Sequence, residues 1–596
     1  MRMTDDSIVS RRTLLAGAAA AGGTAVLAPG AAAAQASGAN PAGLRLLTSV
    51  DGINTPPRGP GVMKFSFANP EPSVAFGNLL FGFEIITFEN NYGIDPTRVS
   101  VERSGDTLRL TATGLTWAGG QRRREGKLVA ALTRAADGAI EWTVSAGMDI
   151  PIKAVKTIVR GLPRGRVSMT ADDWQDLGEA ERVFEYPMLT GGMATPFMAI
   201  EGRDGRVWGL SALQKEVRPA RFAFLPGADG YKIELLYEQA GWDRRGDVTS
   251  CGWRIAPDAD IAAAARRHFT SVEQAWSIPD LASRTDAPDW MKHIACVVAL
   301  HGEHRTGYVF NDFARQLEIL RWIARQIDPA TVMVFLTGWD ARYYWDYPAF
   351  ATGAKPGGQA GLDRLVTEGR KLGFRFALMF GSNVANPASP SFAAVADARL
   401  DDVYGAPFPA NYVDWDGDRK GDGSMVFMNL AVKSWRDHLA GRISTMIDRL
   451  KVDAYFLDIC GLWENNTQGD MLVGTRDLVD QLAHRHPGIP AVAEMQYDAL
   501  MGFIPMNHVA RYALYPRAND DKVASFHHLS WPAAGRGSTG VHEYGFNTYR
   551  PVTIEQRQIP TITFADDTFA TQRDAVAKDI ATARARYARR GNRTRR

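Results

Sequence analysis

Two periodicities divide the chain. From about Leu44 to Trp253, short runs such as 62–67, 107–112 and 127–132 alternate apolar and polar residues, which places every second side chain on one face of an extended strand. Asp137-Gly138, Asp204-Gly205 and Asp229-Gly230 stand between such runs and supply the glycine that tight hairpins favour. The pattern predicts a large β-sandwich, of supersandwich type, over residues 37–277. A helix over 261–276 ends it, and a Pro/Asp-rich linker follows at 278–289.

Beyond the linker the period changes. Short continuous apolar runs alternate with stretches whose apolar residues recur at three-to-four spacing, the pattern of parallel βαβ units. Strands are expected at 294–300, 332–336, 374–380, 454–457, 491–493, around 511–514, within 525–549 and at 561–564, and helices at 313–326, 362–371, 434–450 and 475–486. Eight such strands predict a (β/α)8 TIM barrel over residues 290–583, followed by a basic tail at 584–596.

The first 36 residues read as an address. Ser10-Arg11-Arg12-Thr13-Leu14-Leu15 is a twin-arginine pattern, and the Ala/Gly-rich run after it ends in A-x-A cleavage options. That run is Gly-rich and broken by Pro29, too short for the roughly 20 apolar residues of a membrane anchor. A periplasmic or secreted protein is expected. With 68 basic and 66 acidic residues the net charge is +2, which gives no electrostatic case for nucleic acid. Fifteen tryptophans suit a carbohydrate cleft. Cys251, Cys296 and Cys460 are too widely spaced for a disulfide framework or a zinc cluster. Oligomeric state is not legible.

Barrel enzymes carry their chemistry where strands end. Asp458 follows the buried-strand text Tyr455-Phe456-Leu457, and Glu494 ends the next strand. Glycosidic cleavage needs two such carboxyl groups, one to attack the anomeric carbon and one to protonate the departing oxygen. Glu303, Asp340 and Asp566 compete for the acid role, and a capping or ion-pairing role is the alternative for any one strand-end carboxylate. His301, Trp339, Asp340, Tyr343, Trp345, Asn383, Trp463, Gln496 and Tyr497 follow the same strand ends and are candidates to hold a sugar. Aromatic faces stack on pyranose rings, while amides and carboxylates take the hydroxyls. The aromatic run at 338–347 is the favoured sugar platform, with a packed loop as the alternative.

Asp414, Asp416, Asp418 and Asp422 invite a calcium reading. Arg419 stands where an EF-hand-type loop needs glycine and Met425 where it needs glutamate, so a solvated acidic loop is favoured, with no cofactor and calcium as the alternative. His527-His528 and His542 lack zinc-site spacing.

The stretch Asp453-Ala454-Tyr455-Phe456-Leu457-Asp458-Ile459-Cys460-Gly461, then a helix, then Ile489-Pro490-Ala491-Val492-Ala493-Glu494 resembles the catalytic region of the endo-α-N-acetylgalactosaminidase family of glycoside hydrolases. It is also similar to the wider α-retaining barrels that include α-galactosidases. The resemblance implies a β-sandwich before the barrel and a retaining hydrolase of α-glycosidic bonds, with Asp458 as nucleophile and Glu494 as acid/base. Two other functions remain open on the residues alone: a polysaccharide lyase, and a non-catalytic carbohydrate-binding protein.

Overall fold

In the computed structural model, residues 44–47, 55–59, 62–64, 71–169, 174–187, 193–227, 230–409, 411–413, 416, 418, 423–494, 497–509, 522–527, 559–564 and 568–593 are described. The N-terminal half forms two ten-stranded antiparallel sheets. One is centred on Leu79–Thr87, Ile152–Leu162 and Gly230–Glu238, the other on Gly252–Asp258, Ile140–Gly147 and Lys127–Arg134. The period-two pattern sets their register. Leu128, Ala130 and Leu132 pair with Ala112, Leu110 and Leu108, and all six are buried, so a one-residue slip would turn each of them to the opposite face. Across the sheets, Phe81 meets Trp142 edge-on at 5.3 Å, Phe222 meets Trp253 at 5.6 Å, and Trp142 Nε1 donates to Thr157 Oγ1 at 3.0 Å.

The Asp137-Gly138 and Asp204-Gly205 turns lie between paired strands as expected. Asp229 lies outside the described residues, though the strands flanking it pair. Helix α1, Ile261–Trp276, starts where Asp260 accepts from Ala263 N–H. It lays Ala264 and Ala265 on Phe197, Ala199 and Val207. That contact covers the second face of this sheet, which is why Phe197–Gly202 is almost continuously buried rather than alternating.

The C-terminal half is an eight-stranded parallel sheet. Its strands are β1 (Cys296–His301), β2 (Val332–Thr337), β3 (Arg375–Gly381), β4 (Ala454–Asp458), β5 (Ala491–Glu494), β6 (Met506–Val509), β7 (Ala524–His527) and β8 (Thr561–Phe564). Neighbours in sequence pair in order, β8 pairs β1, and a parallel bridge from Phe526 to Ile559 joins β7 to the residues before β8. Helices α2 (Phe313–Ile323), α3 (Gly358–Lys371), α4 (Lys433–Leu450) and α5 (Met471–Arg485) occupy the crossovers. Among the described residues no helix is long and apolar enough to cross a membrane.

The sixth strand differs from expectation. Residues 511–514 lie outside the described residues, and the sixth position is held by Met506-Asn507-His508-Val509. Its polar middle hid it. His508 is buried among Phe335, Phe456 and Phe526, with ring centroids 4.6–5.6 Å away. Helix α5 starts earlier than expected because Asp470 caps it by accepting from Leu472 N–H. The last helix, α6 (Arg573–Arg593), runs past the point where a basic tail was expected to begin. The expected linker is anchored: Arg284 is buried, pairs with Asp286 and donates to Met501 O at 2.6 Å.

Gly474, in α5, packs so closely on the backbone of Leu430 and Ala431 that a Cβ there would overlap it. Gly474→Ala is expected to destabilise the fold by about 1–3 kcal/mol without altering chemistry in the molecules that remain folded. Thermal unfolding and turnover per folded molecule check this.

Candidate active site

Strands β4 and β5 are adjacent, so their last residues fall side by side. The Asp458 and Glu494 side chains are 3% and 2% exposed and hydrogen-bond to each other. Burial first, then the repulsion between the two carboxylates, pushes Asp458 well above the ordinary carboxyl range, and burial raises Glu494. Two carboxyls in hydrogen-bond contact share a proton between them, and the two titrate as a unit.

Each carboxyl also has a fixed donor. The Tyr344 hydroxyl donates to Asp458 Oδ2, and Ile459 N–H donates to Glu494 Oε2 at 2.9 Å. The Asp458 carbonyl accepts from both Ser382 N–H (3.0 Å) and Ser382 Oγ (2.6 Å). Ile459 has φ +59°. A β-branched residue in the left-handed region stores on the order of 1–3 kcal/mol of strain, and here it aims its N–H at Glu494. Tyr344, φ +64°, is likewise held in the left-handed region.

The loop after β2 forms the neighbouring wall. Asp340 is fully buried, and burial pushes its carboxyl up to about 8, with Asp346 and Asp458 adding in the same direction. Tyr347 lies beside Asp340 and packs across Gly381, where any Cβ would overlap its ring. Trp339 is buried against Phe380 and donates to Met379 O at 2.8 Å, while Tyr343 is buried between His304 and Tyr344. Both serve loop packing. Trp345 is half-buried beneath the Arg342 guanidinium. Asn383 donates to Ile459 O at 3.0 Å and His301 bonds Thr337 Oγ1 at 2.9 Å. Tyr497 is buried.

The other candidates that are described make contacts of their own. Trp463 packs on Trp242 of the antiparallel half and donates to Asp470. Glu303 pairs with Lys355 at 3.2 Å. Gln496, Asp414, Asp422, Asp566, His528 and His542 lie outside the described residues, as does the side chain of His527. Asp416 and Asp418 are exposed, and no cluster of three or more His, Cys, Asp or Glu able to hold a metal occurs among the described residues. Cys296 and Cys460 are buried and Cys251 half-buried.

Sequence reasoning passed over Tyr344 while selecting both its neighbours. The antiparallel half also contacts the loop after β4. Asn465, on the loop after β4, accepts from Gly241 N–H at 2.8 Å and donates to Glu238 at 3.0 Å, and Glu238 is itself paired with Arg221.

No protein-family model and no curated protein sequence matches the chain. Solved structures do. Alpha-N-acetylgalactosaminidase NagBb from Bifidobacterium bifidum, ligand-free, is similar at TM-score 0.59 and 13% identity, over 87% of this chain and 93% of that one. Its GalNAc complex gives TM-score 0.60 at 13% identity over 79% and 90%. The order of antiparallel sheets and parallel barrel is thus a fold that this chain shares with that protein across most of both lengths.

Proposed function

We propose that the protein is a retaining α-glycosidase, with Asp458 as nucleophile and Glu494 as acid/base. The observation that carries this is the buried, hydrogen-bonded carboxyl pair at the ends of β4 and β5. Support comes from the shared fold with an enzyme described as an alpha-N-acetylgalactosaminidase and from the resemblance of both strand ends to that chemistry. An α-N-acetylgalactosaminide or a related α-galactoside is the substrate class we infer.

In the first step an Asp458 oxygen bonds to the anomeric carbon as the glycosidic oxygen leaves with the Glu494 proton. In the second, Glu494 takes a proton from water, the water oxygen bonds to the anomeric carbon, and Asp458 departs. Retaining pairs stand about 5–5.5 Å apart, farther than hydrogen-bond contact, so the arriving sugar must part the two. The proton that the pair shares must stand on Glu494 when Asp458 attacks. We read residues 1–36 as a twin-arginine leader of an exported enzyme, residues 37–277 as a β-sandwich and residues 290–583 as the catalytic barrel.

A panel of aryl α- and β-glycosides tests the function. Release from α-N-acetylgalactosaminide or α-galactoside is expected. Cleavage of β-glycosides alone, or an unsaturated, ultraviolet-absorbing product from uronate polymers, would contradict it.

Tyr344→Phe probes the nucleophile's environment. The hydroxyl favours ionised Asp458, so its loss raises that carboxyl further. The acidic limb of kcat/KM is expected to move to higher pH, with the maximum down about 10- to 100-fold, the range for a lost hydrogen bond to a charged group. A pH–rate profile measures both.

A further inference from the structure

We propose that Asp498 is a positioning residue that holds the strand end bearing Glu494 by clasping it to the antiparallel half. This deepens the reading above and rests on Glu494 being the acid/base. Asp498 stands four positions beyond Glu494 and opens the short helical turn Asp498–Gly502. Its carboxylate accepts from Tyr186 Oη at 2.5 Å, Thr195 Oγ1 at 2.9 Å and Ala499 N–H at 2.8 Å, while its own N–H donates to Ala194 O at 2.9 Å. Tyr186, Ala194 and Thr195 lie about 300 residues earlier, in the antiparallel half.

The clasp has a direction. Thr195 has one hydroxyl proton and gives it to Asp498, so the His268 Nε2 at 2.7 Å from Thr195 Oγ1 must donate. That fixes His268 as the Nε2–H tautomer. Donors therefore converge on Asp498 from His268 through Thr195, and from Tyr186 directly. The turn is also confined from outside. A Cβ on Gly502 would come within 2.6 Å of Trp276 O, and Arg284 holds Met501 O.

A carboxylate is a poor choice for stability alone. Asp498 is buried, burial pushes it up to about 6, and an apolar residue of similar volume would avoid that desolvation. What a forked acceptor fixed by several donors supplies is orientation. Proton donation to a leaving group is sensitive to misplacement on the scale of 1 Å, so loosening this end is expected to weaken acid assistance more than binding.

The test is leaving-group dependence. Phenyl and 2,4-dinitrophenyl α-glycosides, of N-acetylgalactosamine or galactose according to which is turned over, are compared for wild type, Glu494→Gln and Asp498→Asn. The dinitrophenolate departs without a proton. Asp498→Asn is expected to lower kcat/KM, which reports the glycosylation step, by about 10- to 100-fold on the phenyl glycoside and far less on the dinitrophenyl glycoside. An equal loss on both substrates, or no loss on either, would overturn the proposal. If Glu494→Gln itself fails to discriminate, the acid/base assignment has failed. If Glu494→Gln discriminates and Asp498→Asn does not, only the positioning role has. Thr195→Val and Tyr186→Phe each remove one donor, and should show the same discrimination in weaker form if Asp498→Asn does not fold.

Discussion

Asp458→Asn is expected to give a folded protein whose kcat is lower by about 10⁴-fold or more, the scale seen when a covalent nucleophile or its partner is removed. The amide keeps the shape of the side chain and can still accept from Tyr344, so the packing of the β4 end is preserved. What disappears is the oxygen that bonds the sugar. Stability has the opposite sign. The folded Asp458 carboxyl sits well above its ordinary value because burial and Glu494 disfavour its ionisation. A carboxyl whose folded pKa is raised contributes stability that is fully present below its unfolded pKa and is lost as pH rises through the folded pKa. The wild type is therefore penalised at neutral and alkaline pH, and Asp458→Asn is not. Thermal unfolding from pH 4 to 8 should show the variant equal to or above the wild type at the upper end. A variant that is inactive because it is unfolded would show the reverse.

Glu494→Gln is expected to lower kcat on poorly activated substrates by about 10²- to 10⁴-fold, the usual contribution of a general acid. The Ile459 N–H that donates to Glu494 Oε2 can donate equally to the amide oxygen, so this strained turn need not move. The amide cannot give up a proton. The loss should shrink when the leaving group needs none, and the slow step should shift to deglycosylation, where a base is still missing. A burst of aryl release followed by slow turnover on the dinitrophenyl glycoside is the signature, read by stopped-flow absorbance.

The barrel was legible because parallel strands covered on both faces read as continuous apolar runs. Residues 332–336, 454–457 and 491–493 lie within β2, β4 and β5, and their ends deliver Asp458 and Glu494. β6 was not legible, because the buried Asn507 and His508 break that run. Within the site, the aromatic loop was visible as a composition but not as a geometry. Which of Tyr343, Tyr344 and Trp345 reaches Asp458 depends on two left-handed residues, Ala341 and Tyr344, and no periodicity reports those. Least legible were the contacts across the chain. Tyr186, Thr195 and His268 are unremarkable in sequence; the first two bond Asp498 from 312 and 303 residues away, and His268 joins them through Thr195.

The identity of the nucleophile decides the rest, since the two carboxyls share one buried, hydrogen-bonded site and titrate as a unit. Inactivation with the 5-fluoro-α-glycosyl fluoride of the sugar turned over, followed by peptide mapping, locates the covalent bond. The account predicts one added sugar on the peptide containing Asp458. A sugar on the peptide containing Glu494, or turnover of the reagent with no adduct at all, would contradict it.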